Sequence, residues 1–302
     1  MFNGLIKTIV SILTAIASFF TLASVDAQMP LVNVNPNPIK QEVMAQDLTI
    51  MTYNLKCSGE GKYSQESRKD GVCSNINKYS PDSFGVQEAD INWVNRLADA
   101  MPGYDHFGTY RDDGIAEGES CTIFYKNDKY EMIDGGDFWL SETPDVPSLG
   151  WDAACNRVCT YVILKDKQTG FVYAHFNTHF DHVGEVAQAE SVALISSKIA
   201  EIAPDIPVVV TGDFNFNETK DLYDDMLSCG FSDTKYLTDD YDVGATYNDY
   251  RLIPVGLNPI DHVFVNAYVK SVKSSSIDKS KYNGIYPSDH FPVIVEMTMF
   301  NG

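Results

Sequence analysis

Residues 161–177 read Y-V-I-L-K-D-K-Q-T-G-F-V-Y-A-H-F-N, two apolar stretches separated by a short polar turn that ends in glycine. Short runs rich in Val, Ile, Tyr and Phe, interrupted by a Gly-containing turn, form β-hairpins. A parallel crossover needs a dozen or more residues between its strands, and this connection is too short for one. The hairpin argues against a purely parallel sheet and for a mixed one.

Similar apolar runs recur on both sides of it: 48–53, 83–86, 122–125, 206–211, 262–265 and 292–297. Helical spacing appears at 91–98 and at 185–202, where Val186, Ala189, Ala193 and Ile199 are expected to fall on or near one face. The chain therefore reads as mixed α/β. It has no repeats or low-complexity tracts, and 48–302 is expected to fold as one unit. Residues 28–47, rich in Pro and Asn, read as a linker. At the start, Lys7, the apolar run 9–23 and the small residues of V-D-A at 25–27 read as a signal peptide over 1–27, with an uncleaved anchor as the alternative. Cleavage would leave a chain with no further apolar stretch long enough to span a bilayer. A secreted or periplasmic monomer is expected.

Export would give the six cysteines a meaning, since Cys57, Cys73, Cys121, Cys155, Cys159 and Cys229 all follow the expected cut. An oxidising compartment permits disulfides, with fifteen possible pairings for six cysteines. No C-x-x-C occurs, which counts against a cysteine zinc site. The charge is lopsided, 42 acids against 22 bases for a net −20. A protein that grips long nucleic acid through its phosphates presents a basic face, so here any such face has to be local.

Polar residues cluster where the apolar runs end. Asn54 and Glu88 follow two of them, His179 and Asp181-His182 follow the hairpin, and Asp213 and Asn215 follow I-P-V-V-V-T. Asp261-His262 and Asp289-His290 stand immediately before two others. Strand ends in α/β folds converge on a common edge, so residues more than two hundred positions apart can share one cleft. These are hard oxygen donors and imidazoles without a thiolate, a set suited to Mg²⁺, with Mn²⁺ or Ca²⁺ as alternatives. A cation that polarises a phosphoryl oxygen, together with an imidazole oriented by a carboxylate, suggests phosphate-ester hydrolysis. His106, His175, His182 and His262 read as core or helix-start residues and are left out of the site.

Six segments, T-Y-N (52–54), Q-E-A (87–89), N-T-H-F-D-H (177–182), T-G-D-F-N (211–215), I-D-H-V-F-V (260–265) and S-D-H-F-P-V (288–293), resemble in order the motifs of the endonuclease/exonuclease/phosphatase superfamily. The resemblance covers Leu48 to Met297. It implies the deoxyribonuclease I-like fold, a four-layer α/β sandwich of two mixed β-sheets flanked by helices, and a Mg²⁺-dependent hydrolase. Carried onto this sequence, it implies Glu88 as principal metal ligand, with Asn54 and Asp289 beside it. His290 paired with Asp261 would activate water or stabilise the phosphorane. Asp213 and Asn215 would orient the nucleophile and bind phosphate, and His179 would contact the scissile phosphate. Which imidazole is base and which acid stays open at this point.

Y-R-D-D-G (110–114), F-W-L-S-E-T-P-D (138–145) and G-W-D-A-A-C-N-R-V-C-T (150–160) resemble an exported bacterial-type branch of the same superfamily. There Arg157 would point at phosphate, with Arg111 as a second phosphate-binding residue. A guanidinium suits two phosphate oxygens, although a salt bridge to an acid is the plain alternative for Arg157. Trp139 and Trp151 could line the cleft or simply pack. The leading substrate reading is nucleic acid or a nucleotide, preferably short given the charge. A lipid or inositol phosphate ester is the second, and a non-catalytic binding module the third.

Overall fold

The computed structural model describes residues 44–301. The expected leader and most of the expected linker lie outside these residues. The last linker positions, Ala45–Asp47, belong instead to the first strand, β1 (Ala45–Asn54). It is followed by β2 (Ser83–Gln87), β3 (Tyr104–Phe107), β4 (Ile123–Lys126), β5 (Tyr130–Trp139), β6 (Val158–Asp166) and β7 (Val172–His179). Then come β8 (Val208–Asp213), β9 (Ser232–Asp233), β10 (Asp261–Val265), β11 (Val269–Ile277) and β12 (Val293–Phe300). The helices are α1 (Gln65–Tyr79), α2 (Ile91–Ala100), α3 (Glu185–Ile202) and α4 (Asp221–Ser228).

The strands form two six-stranded sheets, one ordered β11-β12-β1-β2-β4-β3 and the other β5-β6-β7-β8-β10-β9. The hairpin of the opening stretch is β6 and β7, antiparallel as its short turn requires. Each sheet also holds one parallel pair, β1 with β2 and β7 with β8, so both are mixed.

Alternation along each strand builds the layers, because successive side chains leave opposite faces of a sheet. In β1, Ile50 enters the core between the sheets while Met51 and Tyr53 face α1 and α2, where they meet Val72, Ile76, Trp93 and Leu97. In β8, Val209 points inward and Val208 and Val210 point to α3 and α4, against Val192, Ile195, Ile199 and Met226. The order is helix, sheet, sheet, helix, the expected four-layer sandwich.

The buried stripe of α3 differs from the expected one. It runs through Ala187, Gln188, Ser191, Val192, Ile195 and Ile199, while Val186, Ala189 and Ala193 face solvent. Of the four residues expected on that face only Ile199 is buried. Helix α3 is rich in alanine all round, and small apolar residues are cheap to expose, so they mark a face poorly.

All six cysteines are free thiols, so the expected disulfide framework is not formed. Cys159 packs into the core beneath α3, Cys57 hydrogen-bonds to the Glu119 carboxylate, and Cys73 packs beside the α1–α2 layer. Cys155 lines the cleft described below. Neighbours in sequence are thus held in different surroundings.

Part of the space between the sheets is polar. Tyr173 donates to Ser83 Oγ at 3.0 Å, Ser83 meets His175 Nδ1 at 2.8 Å, and His175 Nε2 meets Thr211 Oγ1 at 2.8 Å. Thr211 donates to Asn177 Oδ1 at 2.9 Å, and Gln87 donates to the same oxygen at 2.7 Å and to Thr52 Oγ1 at 3.0 Å. This seam crosses repeatedly from one sheet to the other. His175 belongs to it, in agreement with its reading as a core residue.

Gly85 leaves room for the seam, since a Cβ there would stand 2.3 Å from the Asn177 amide and 2.5 Å from Thr211 Oγ1. Gly85→Ala should therefore destabilise the protein by about 1–3 kcal/mol, the usual range for an overpacked core. The urea midpoint measures it, and an unshifted midpoint would refute the close fit.

Candidate active site

The strand directions bring the polar ends together. β1 and β2 are parallel and end at Asn54 and Gln87, which are register partners, so Asn54 and Glu88 leave the sheet side by side. β12 runs antiparallel to β1, which puts Asp289-His290, just before its start, at the same edge. In the other sheet, His179 and Asp213 are paired at the ends of parallel β7 and β8. Asp261, the first residue of antiparallel β10, is the partner of Asp213. Arg157 precedes β6 at that same edge.

Glu88, Arg111, Arg157, His179, Asp213, Asn215, Asp289 and His290 all line one cleft of about 320 Å³. Asn54 and Asp261 are buried immediately behind it. All ten sequence-predicted site residues are therefore brought together. Glu88 and Asn215 hold φ of 54° and 53°, a left-handed backbone that costs non-glycine residues energy and tends to occur at functional sites.

Glu88 accepts from Asn54 Nδ2 at 3.1 Å and from the Cys57 backbone N–H at 3.1 Å. Burial works against its charge, but these two donors and the nearby His290 and Lys56 hold its carboxyl below the usual range. Asn54 Nδ2 also donates to Asp213 Oδ2 at 2.9 Å. Asp289 is engaged by the ammonium of Lys56 at 2.7 Å.

His290 meets Asp261 Oδ2 through Nδ1 at 2.8 Å, the expected pairing, and its Nε2 lies 3.7 Å from Asp213 Oδ2. Burial opposes charge on this imidazole, but the two carboxylates outweigh it and raise its proton affinity. Burial, with Asp261 adding, raises that of Asp213 as well. His179 Nε2 lies 3.5 Å from Asp213 on the other side. Burial and then Arg157 and Arg111 push its proton affinity far down, so it is a neutral imidazole.

Arg157 pairs with Asp181 at 3.4 Å, so the salt-bridge reading and the cleft reading both hold. Arg111 pairs with Glu119 at 2.5 Å. Arg157 Nη1, Arg111 Nε and His179 Nδ1 are buried and have no hydrogen-bond partner among the described residues, Arg111 Nε standing 3.9 Å from Asp112 Oδ1. Unmet buried donors of this kind mark a place where an anion can bind.

His182, set aside on sequence, lines the cleft with its Nδ1 at 3.1 Å from Arg157 Nη2. His262 and His106 are no part of it. His262 is buried against Asp233, and His106 is exposed and stacks on Phe124. Neither Trp139 nor Trp151 lines the cleft. Trp139 is buried and donates Nε1 to the Arg111 carbonyl at 2.7 Å, which supports that arginine from behind. Sequence reasoning missed Lys56, Glu119, Cys155 and Tyr247, all of which line the cleft from loops.

The donors suit a hard divalent cation at Glu88. The Glu119 carboxylate stands beside it, with the possible ligand atoms of Cys57, Glu88 and Glu119 all within 4.8 Å of one another, while Asn54 turns its amide N–H₂ to Glu88 and its Oδ1 accepts from the Lys56 backbone N–H at 3.0 Å. The nearby thiol of Cys57 is raised by burial and by Glu119 and Glu88, and it donates to Glu119 instead of offering a thiolate.

A four-layer sandwich with an acid-rich, cation-lined cleft at one sheet edge defines a phosphate-ester hydrolase of the deoxyribonuclease I-like class. The sequence pattern of the Endonuclease/Exonuclease/phosphatase family matches residues 51–290, and the chain belongs to that family, whose members are divalent-metal-dependent hydrolases of phosphate esters. An endonuclease/exonuclease/phosphatase family protein of Bacteroides thetaiotaomicron is 36% identical with a TM-score of 0.81, over 85% of this chain and 99% of that one. A mannosyl-6-phosphatase of the same organism is 36% identical with a TM-score of 0.79, over 83% of this chain and 99% of that one. The CCR4-Not complex 3'-5'-exoribonuclease subunit Ccr4 of Schizosaccharomyces pombe is 22% identical over 81% of this chain, which spans 47% of that relative's length.

Proposed function

We propose that the chain hydrolyses phosphate monoesters of small hydroxylated molecules, sugar phosphates foremost, with Mg²⁺ as its cation and Mn²⁺ as a working substitute. The observation that carries the monoester reading is the set of cations in the cleft. Lys56, Arg111 and Arg157 line the same cavity, and among the described residues both guanidinium groups keep a buried nitrogen without a hydrogen-bond partner. A terminal phosphate carries about −1.5 to −2 at neutral pH, more than the single charge of a diester, and rewards such a concentration of positive charge. The likeness to a mannosyl-6-phosphatase across nearly all of that protein supports the same reading.

Asn54, Glu88 and Asp289 would hold the cation, which supplies polarisation of a phosphoryl oxygen and neutralisation of developing charge. Asp261 fixes the protonated His290 ring through Nδ1, leaving its Nε2–H to stabilise charge on the phosphate, and Asp213, whose proton affinity burial raises, takes the proton from the attacking water. Arg157 and Arg111 bind phosphate oxygens, and neutral His179 donates to the phosphate. Asn215, anchored to the Phe180 carbonyl at 2.9 Å, shapes the wall beside Asp213. Export of the chain belongs to the same proposal.

Nucleic acid or a nucleotide, the leading expectation from sequence, has the likeness to an exoribonuclease subunit in its favour and the net charge of −20 against it. A lipid-borne ester gains support from the loop between Tyr247 and Ile260, two cleft residues, because Leu252, Ile253 and Leu257 in that loop are 80%, 80% and 86% exposed.

Hydrolysis of p-nitrophenyl phosphate should stop with EDTA and return with Mg²⁺. Across mannose 6-phosphate, bis-p-nitrophenyl phosphate, single-stranded DNA, poly(A) and sphingomyelin, kcat/KM should be greatest for the sugar phosphate. Activity indifferent to chelation would sink the cation assignment, and a greater kcat/KM on a diester would sink the monoester reading.

A further inference from the structure

Arg68, near the start of α1, is a buried arginine with 1% exposure. Among the described residues no carboxylate forms a salt bridge with it, and its guanidinium is spent on main-chain carbonyls. Nε donates to Tyr63 O at 2.7 Å, Nη1 to Leu55 O at 2.5 Å and to Pro287 O at 2.9 Å, and Nη2 to Lys56 O at 2.7 Å. The guanidinium carbon lies 5.0 Å from the Trp93 ring centroid, and Trp93 Nε1 itself donates to Lys56 O at 3.0 Å.

These contacts connect two particular segments. Leu55 and Lys56 directly follow Asn54, and Pro287 lies two residues before Asp289 and three before His290. A single Nη1 spans them, reaching one carbonyl in each. The segments are distant in sequence, and the cleft needs both. Further links cross the same gap. Ser288 Oγ donates to Asn54 O at 2.7 Å, and Lys56 Nζ reaches Asp289 at 2.7 Å.

Burying a charge without a counter-charge is costly, and a fold that needed only apolar contact here would be served better by leucine or methionine. The fixed planar fork of arginine can hold several carbonyls at set positions, which a lysine's point charge cannot do.

We propose that Arg68 is a positioning residue of the cation site. Its guanidinium sets the spacing between the segment that carries Asn54 and Lys56 and the segment that carries Asp289 and His290. This rests on the reading that Asn54, Glu88 and Asp289 hold the cation, and it adds the group that fixes their separation from outside the cleft. Partners that orient ligands without touching the metal commonly change metal affinity by about 10–100-fold when replaced.

The test is Mn²⁺ binding by the purified full chain without substrate, followed by electron paramagnetic resonance, for wild type, Arg68→Lys and Arg68→Gln, with circular dichroism and thermal midpoint as checks of folding. The folded variants should bind Mn²⁺ at least about tenfold more weakly than wild type, with kcat/KM falling in parallel. A folded variant with a lowered midpoint and wild-type Mn²⁺ affinity would show Arg68 to be merely structural and overturn the inference. Should neither variant fold, wild type decides. The Arg68 Nε–H resonance should shift in step with Mg²⁺ saturation, and a resonance that stays still would equally overturn it. If wild type itself binds no Mn²⁺, the cation reading fails first and this inference with it.

Discussion

Replacing His290 by alanine should lower kcat by at least about 100-fold, the usual contribution of a positioned acid–base group, while leaving the protein folded. The imidazole is held at both ends, Nδ1 by Asp261 Oδ2 at 2.8 Å and Nε2 facing Asp213 Oδ2 at 3.7 Å. Among the described residues His290 is the proton-bearing group that stands with both Asp213 and Asp261. Alanine leaves those two buried carboxylates facing each other without the intervening cation, so a modest loss of thermal midpoint should accompany the loss of rate. Steady-state kinetics on p-nitrophenyl phosphate with saturating Mg²⁺ makes the measurement. A folded His290→Ala protein with the wild-type kcat would remove this residue from the chemistry.

Glu88→Gln should be at least as damaging, with kcat/KM lower by about 100-fold or more and Mn²⁺ binding lost. The substitution preserves shape and tolerates the same left-handed backbone, but it removes the carboxylate charge. It also turns an amide N–H₂ toward one of two donors, Asn54 Nδ2 or the Cys57 N–H, which then loses its acceptor. Raised Mg²⁺ concentration should recover part of the rate if the lost function is cation binding. A variant with wild-type activity and undiminished sensitivity to EDTA would place the cation elsewhere.

Much of this site is legible in the sequence because its residues sit where strands stop. The apolar runs that become β1, β2, β7, β8, β10 and β12 are short and rich in β-branched or aromatic residues, and each leads directly into or out of chemically distinctive polar residues. Strand direction then does the rest, since antiparallel neighbours reverse which end counts. Less legible are the elements without an apolar signature. β11, V-K-S-V-K-S-S-S-I, is an edge strand of lysine and serine, and β5 is interrupted by Gly135-Gly136. Helix α1, Q-E-S-R-K-D-G-V-C-S-N-I-N-K-Y, offers few apolar side chains, and Val72 and Ile76 are among the few it buries.

The further cleft-lining residues follow the same division. Lys56 and Tyr247 lie in loops whose path is set by tertiary contacts, and a lone lysine after a strand carries no spacing signal. His182 carries no distinctive signal because an Asp-His pair ahead of a helix is an ordinary helix start, and Asp181 does serve the chain turn there, accepting from the Val183 and Gly184 N–H groups. In the fold that imidazole stands at the cleft with Nδ1 3.1 Å from Arg157 Nη2, a contact between residues 25 positions apart.

The polar seam between the sheets has a bearing on the chemistry at their edge. One sheet carries Asn54, Glu88 and the Asp289-His290 pair, and the other carries His179, Asp213 and Asp261. Two greasy faces can slip across each other at little cost, and a slip of one residue, about 3.3 Å, would part a proton acceptor from its proton. Directional bonds through Ser83, His175, Thr211, Asn177 and Gln87 act as index pins that hold two plates in alignment. Damage deep in this interior would therefore surface as mistimed proton transfer as well as lost stability.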